Sequence, residues 1–86
     1  MTARAYRFHC TDGHVAIIDA HGVRVPSEAQ LWTFAEQAAR LAMERVGRGL
    51  DWSDWIVDVH DSGGRRVLTL AFRDVRDTLR GPALAA

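Results

Sequence analysis

The chain has 86 residues, the size of one small domain, and 48% of them are hydrophobic, which is too high a share for a disordered protein. The formal net charge is zero, so no overall field draws the chain to nucleic acid or to an anionic membrane. Cys10 stands alone, which excludes an internal disulfide, and no apolar run reaches membrane-spanning length, so we expect a cytoplasmic protein. All eleven basic residues are arginine, which indicates a GC-rich, bacterial genome.

The first part of the chain predicts a β-hairpin. Apolar and polar side chains alternate over residues 6–10, which is typical of a half-buried strand. Asp12-Gly13 is a hairpin turn signal, and residues 15–18 form the returning strand. A second turn at 19–22 then leads into an extended segment before the helix.

The stretch 26–49 contains the long helix around which the rest of the chain is organised. Ser27 and Gln30 have capping-box spacing, and Gly47 and Gly49 are stop signals. At 100° per residue, one face is apolar and should pack on the sheet. The residues of this predicted face are Leu31, Phe34, Ala35, Ala38, Leu41, Ala42 and Val46.

The second part predicts another hairpin. Strands over residues 55–60 and 67–72 show period-two alternation, and a glycine-containing turn at 61–64 joins them. Residues 73–80 can form one or two helical turns, and 81–86 form a loose tail.

These elements predict an α+β fold in the order β-β-α-β-β: a four-stranded antiparallel sheet with one long helix packed on one face. Residues 1–73 form the single domain, and 74–86 form a C-terminal extension. Two strand orders are open, 2-1-3-4 and 1-2-4-3. The predicted core of the sheet consists of Tyr6, Phe8, Cys10, Val15, Ile17, Trp55, Val57, Val59, Leu68, Leu70 and Phe72.

A set of short motifs occurs in the same order as in a family of short bacterial proteins known as a domain of unknown function, which this chain resembles. The motifs are Arg4-Ala5-Tyr6-Arg7-Phe8-His9, Asp12-Gly13, Asp19-Ala20-His21-Gly22, Val25-Pro26, Trp55-Ile56-Val57-Asp58-Val59, and Gly64-Arg65 with Leu68 and Phe72. The resemblance extends over residues 4–73 and supports the predicted fold. It implies no activity, substrate or cofactor.

Two patterns suggest chemistry that we weigh against simpler explanations. His9, His14 and His60 are candidate metal ligands, but period two places Cys10 opposite His9, and two imidazoles make half a zinc site. Cys10 lies within an apolar alternation, which disfavours its thiolate. No nucleophile stands beside a base and no cofactor motif is present, so we expect neither catalysis nor a cofactor.

Nucleic-acid binding is an alternative function. Arg7, Arg65 and Arg66 would lie on or beside the outer face of the sheet, meaning the face away from the helix. The aromatic side chains fall on the opposite face, and Asp58 shares the outer one. A basic patch without stacking rings usually serves solubility, so this alternative ranks second.

The favoured prediction is an interaction module that self-associates as a homodimer. The outer face of the sheet is less polar than a solvated face should be, and the apolar arc of the helix is wider than one sheet covers. A twofold dimer needs one self-complementary patch. The interface candidates are Ile18, Ile56, Val67 and Thr69 of the sheet, and Trp32 and Met43 of the helix. The alternative is that the segment 75–79 folds back and covers one of these surfaces.

Overall fold

The computed structural model of this chain describes residues 4–47 and 49–75. One main helix, α1, packs on one face of an antiparallel sheet, which confirms the α+β prediction. The elements are β1 (Arg4–Thr11), β2 (Ala16–Ile17), β3 (Val23–Val25), a 3₁₀ turn (Glu28–Gln30), α1 (Leu31–Val46), β4 (Ile56–Asp61) and β5 (Arg66–Ala71). The extended segment before the helix is therefore a fifth strand.

The sheet has the order β2-β1-β4-β5, which is the first of the two orders left open by the sequence. β1 lies at its centre and pairs with β4 from Tyr6–Asp61 to Thr11–Ile56. Along its other edge β1 pairs with two strands, because β2 lies beside its end and β3 lies beside its start. β2 and β3 thus act as one edge strand interrupted in the middle.

The first hairpin turn forms at Asp12-Gly13 as predicted, but it extends to Val15, so the returning strand begins at Ala16. Asp12 Oδ1 accepts hydrogen bonds from the backbone N–H groups of His14 and Val15, at 2.8 and 2.9 Å. Gly13 has φ +93°, a conformation that favours glycine. These hydrogen bonds lower the pKa of Asp12 below its ordinary value.

The helix starts with a 3₁₀ turn and ends at a glycine. Gln30 N–H donates to the Ser27 carbonyl at 3.0 Å, and Ser27 Oγ contacts the Gln30 side chain rather than a backbone N–H. The predicted capping box, in which each side chain accepts a hydrogen bond from a backbone N–H, is therefore not formed. At the other end Gly47 has φ +92° and donates its N–H to the Met43 carbonyl, which confirms the predicted stop.

The buried face of α1 differs from the predicted one. Its buried residues are Leu31, Ala35, Ala39 and Ala42, whereas Leu41 and Val46 are 51% and 52% exposed. The prediction that Leu41 and Val46 face the core is therefore wrong. Leu41 is exposed because α1 packs over β1, β4 and β5 and leaves the β2–β3 edge largely uncovered. Val46 is exposed because it is the last residue of α1. Alanines on the buried face permit a close approach to the sheet.

The core of the sheet was predicted correctly for its central strands and incorrectly at β2. Val15 and Ile17 are exposed, because Val15 lies in the hairpin turn and β2 has only two residues. Residues that sequence reasoning left out of the core are buried instead: Val25, Ala39, Trp52 and Val75.

An aromatic cluster closes the end of the core where β5 leaves the sheet. Trp52 stacks on Phe72 with ring centroids 5.3 Å apart, and the Trp55 ring lies 4.9 Å from that of Trp52. Phe72 N–H donates to the Trp55 carbonyl at 2.9 Å. A helical turn at 72–75 follows, and the rest of the predicted C-terminal segment lies outside the described residues. In the described ranges, no helix combines the length and apolar character needed to cross a membrane.

Candidate interaction surface

A loop at residues 18–22 fills the gap between β2 and β3. The Asp19 carboxylate takes the place of a neighbouring strand, because it accepts a hydrogen bond from the Phe8 N–H at 3.1 Å. It also accepts hydrogen bonds from Gly22 N–H at 2.9 Å and His21 N–H at 3.2 Å. One carboxylate therefore supplies an acceptor for a backbone N–H of β1 and closes the loop at the same time.

Two further contacts fix this loop against β1. His9 Nδ1 accepts a hydrogen bond from the Asp19 N–H at 3.0 Å. Gly22 has φ +81°, and a Cβ added there would lie 3.2 Å from the Tyr6 carbonyl oxygen. Glycine is needed at this position both for its conformation and for the close approach to β1.

Asp19 and the nearby Cys10 differ in their tendency to ionise. Partial burial raises the pKa of Asp19, but its backbone hydrogen bonds outweigh that effect and hold the pKa below its ordinary value. Burial, followed by the charge of Asp19, raises the pKa of the Cys10 thiol to about 11. Asp19 is therefore an anion at neutral pH, and Cys10 is a neutral thiol.

A cleft of about 510 Å³ lies between α1 and the loop. Most of its lining is apolar, because α1 leaves this part of the sheet uncovered. The lining residues are Phe8, Cys10, Ile17, Ile18, Asp19, Ala20, His21, Val23, Phe34, Gln37, Ala38, Leu41, Ala42 and Arg45. We call these fourteen residues the edge cleft.

Several large apolar side chains of the edge cleft are in contact with solvent. Ile18 is 61% exposed and Leu41 is 51% exposed, on opposite walls. Asp19 and Arg45 place one negative and one positive charge at the cleft. Arg45 forms no ion pair with any residue in 4–47 or 49–75. The cleft therefore combines exposed apolar surface with charges of both signs.

The outer face of the sheet holds a network of polar side chains. The rings of His9 and His60 meet edge to face, with centroids 5.5 Å apart. His60 Nε2 lies 3.2 Å from Asp58 Oδ2, a distance that suits an ion pair with a protonated imidazole, although no hydrogen bond forms. Among the described residues, no group of three or more His, Cys, Asp or Glu side chains can hold a metal ion. His14 lies apart, exposed in the hairpin turn.

Of the three arginines predicted on or beside the outer face, one forms an ion pair within the sheet. Arg66 donates two hydrogen bonds to Asp58, at 2.8 and 3.2 Å. Partial burial raises the pKa of Asp58, but the combined effect of Arg66 and His60 is larger and holds this pKa below its ordinary value. Asp58 therefore stays ionised at neutral pH. Arg7 and Arg65 are exposed. The large aromatic rings of the sheet face the helix and are buried, so they are not available for base stacking.

The predicted interface residues do not form one surface. Ile56 and Thr69 lie on the outer face, and Val67 is exposed beside a β-bulge. Ile18, which the alternation placed on that face, instead lines the edge cleft. On the helix, Trp32 is 46% exposed, whereas Met43 is half-buried against the core.

Sequence reasoning missed how the edge cleft is formed. It treated Asp19 as the first residue of a turn, and it placed Leu41 in the core and Arg45 on no particular surface. One signal was available: residues 15–25 contain two short apolar runs separated by Asp-x-x-Gly, which fits two short strands that share one partner. The position of the helix relative to that edge had no sequence signal of its own.

Comparison with known families identifies the family of this chain. Residues 5–73 match the family model described as a domain of unknown function, DUF6894. This chain belongs to that family. The DUF6894 match begins at the second residue of β1 and ends just after β5, so it includes α1 and the whole sheet except Arg4, and the description names no catalytic class. No curated protein and no solved structure matches the chain.

Proposed function

We propose that this protein is a non-catalytic interaction module that forms a homodimer. The observation that supports self-association is the gathering of exposed large apolar side chains on the edge cleft, where Ile17, Ile18, Val23 and Leu41 all contact solvent. Contiguous apolar surface of this kind on a small domain is typical of an interaction site.

The composition of the edge cleft favours a second copy of the chain as the partner. Homodimer interfaces are more apolar than the rest of the surface and are poor in charge at their centre. Ten of the fourteen lining residues are apolar, counting Cys10 and the alanines. The formal net charge of zero also means that two copies do not repel each other at long range.

The chemistry of the potentially reactive groups supports a non-catalytic role. With a pKa raised to about 11, the Cys10 thiol is a poor nucleophile at neutral pH. His9 uses Nδ1 to accept a backbone hydrogen bond, and its ring packs on His60 rather than beside a nucleophile. Both groups serve the packing of β1 and its neighbours.

Size exclusion with light scattering tests the dimer, with a matched pair of helix variants. Leu41→Glu places a charge in the edge cleft, whereas Val46→Glu places one on the same helix at nearly equal exposure but outside the cleft. We expect wild type and Val46→Glu to give twice the 9.6 kDa chain mass at high micromolar concentration. Leu41→Glu should weaken the dimer about tenfold or more, because the apolar contact of both copies is lost.

Three results would contradict this proposal. A wild-type mass of one chain at high micromolar concentration would exclude the homodimer. A dimer that neither variant weakens would place the interface elsewhere on the molecule. Equal weakening by both variants would mean that charge on the helix acts without regard to the edge cleft. Circular dichroism of each variant checks that α1 and the sheet are intact.

A further inference from the structure

The two walls of the edge cleft carry opposite charges. The loop wall contains Ile18 and the ionised carboxylate of Asp19, and the helix wall contains Leu41 and the cation of Arg45. The Asp19 carboxylate is held in place by three backbone N–H groups, so its position is fixed. Arg45 is exposed on the surface of α1 and has no ion-pair partner in 4–47 or 49–75.

We propose that a second copy occupies the edge cleft about a twofold axis that runs along it, so that Arg45 of each copy pairs with the other copy's Asp19 loop. In this arrangement Ile18 of one copy packs on Leu41 of the other. The inference rests on the proposed self-association and adds the orientation and the charged contacts that select it.

The orientation follows from symmetry and charge. In a twofold dimer the axis lies in the plane of the interface, and contacts occur in reciprocal pairs. An axis along the cleft reverses left and right, and so places each helix wall against the loop wall of the other copy. An axis across the cleft would place helix wall on helix wall, with the Arg45 cations on the same side. Complementary charges favour the first arrangement, because like charges that face each other weaken association.

Other occupants fit the edge cleft less well. A peptide with charges of one sign would attract either Asp19 or Arg45 and repel the other. The chain's own segment 76–86 has two large apolar side chains, Leu79 and Leu84. It follows β5, which lies at the opposite edge of the sheet from β2 and β3. A second copy instead supplies both charges and a matching apolar patch at once.

A charge-swap cycle in the full chain tests the proposal. Ala20 is exposed on the loop wall beside Asp19, so it offers a site for a new charge without loss of the Asp19 hydrogen bonds. Arg45→Glu should raise the dissociation constant of the dimer about tenfold, and Ala20→Arg should also weaken it. The double variant, Ala20→Arg with Arg45→Glu, should recover affinity to within about threefold of wild type, because the charges are opposite again. Sedimentation equilibrium measures the four constants.

The outcomes separate this inference from the proposed function. A monomeric wild type would overturn both. If Arg45→Glu leaves the affinity of the wild-type dimer unchanged, the proposed pairing of helix wall with loop wall is wrong, whereas self-association itself is still supported. Weakening in both single variants without recovery in the double variant would also overturn the pairing of Arg45 with the loop. A full-chain variant with Leu79→Glu and Leu84→Glu tests whether the segment 76–86 occupies the edge cleft. A marked rise in dimer affinity would show that this segment competes with the second copy, and would overturn the assignment of the second copy as the occupant of the wild-type cleft.

Discussion

Asp19 connects three parts of the backbone through one side chain. Its carboxylate accepts hydrogen bonds from Phe8, His21 and Gly22 N–H groups, and its own N–H donates to His9. Without the carboxylate, the N–H of the buried residue Phe8 would lose its acceptor at the point where the edge strand is interrupted. The shape of the loop wall therefore depends on this residue.

Substitution of Asp19 should destabilise the fold more than substitution of an exposed aspartate. Asp19→Ala removes the acceptor of three backbone N–H groups, and we expect a loss of about 2–3 kcal/mol in the free energy of unfolding. Asp54→Ala is the control, because Asp54 is exposed, and it should change stability by about 0.5 kcal/mol or less. Urea denaturation at pH 7 measures both. Equal losses would contradict the role of the Asp19 carboxylate.

The low pKa of Asp19 also predicts how this stability depends on pH. A carboxyl group with a pKa lower in the folded state than in the unfolded chain stabilises the fold above the unfolded pKa, and this contribution disappears as pH falls through the folded pKa. The stability difference between wild type and Asp19→Asn should therefore be largest near neutrality and shrink below about pH 4. Urea denaturation at pH 7 and pH 3 provides the comparison. A difference of the same size at both pH values would show that ionisation of Asp19 does not contribute.

At the scale of elements, the position of α1 on the sheet determines both the core and the edge cleft. The helix buries an alanine-rich face over β1, β4 and β5, and the same position exposes Leu41 beside the loop. A helix shifted toward β2 and β3 would close the cleft and uncover the other edge of the sheet. The core and the candidate surface are therefore two consequences of one packing arrangement.

Two substitutions on different elements test this assignment of faces. Leu70 is 1% exposed on β5 beneath the helix, so Leu70→Ala should lower the free energy of unfolding by roughly 2–5 kcal/mol. Thr33 is exposed on the opposite side of α1, and Thr33→Ala should stay within about 0.5 kcal/mol of wild type. Chemical denaturation measures both values, provided that the slope of the unfolding free energy against denaturant concentration is the same as in wild type. Similar losses in the two variants would mean that the buried face of the sheet is misassigned.

The sequence predicted the elements whose positions depend on local chemistry, and it predicted less well the features that depend on how the elements pack. The Asp12-Gly13 turn, the alternation in β1 and β4 and the glycine at the end of α1 are local signals, and each element was predicted from them. The rotation of α1 is different, because its apolar arc is wider than the part that one sheet covers. The part that is buried is the one that packs over β1, β4 and β5, and the chain pattern alone does not distinguish it from the rest of the arc.

At the scale of the whole molecule, a chain of 86 residues has a small core, and association between copies would add to its stability. A small domain buries a smaller fraction of its surface than a large one, so each uncovered apolar side chain matters more to its stability. The edge cleft is where this chain leaves such side chains in contact with water. A dimer that covers them would couple folding to association, because only the folded chain presents the two walls.

This coupling predicts that the thermal midpoint rises with protein concentration. Binding of two folded copies stabilises the folded state by mass action, so a tenfold increase in concentration adds about 1.4 kcal/mol per dimer. For a chain of this size the midpoint should rise by roughly 3–5 °C. Differential scanning calorimetry at two concentrations above the dissociation constant measures the shift. Leu41→Glu, studied at the same two concentrations, should shift less because its dimer is weaker. A wild-type midpoint that stays the same at both concentrations would show that covering the edge cleft adds nothing to the stability of the fold.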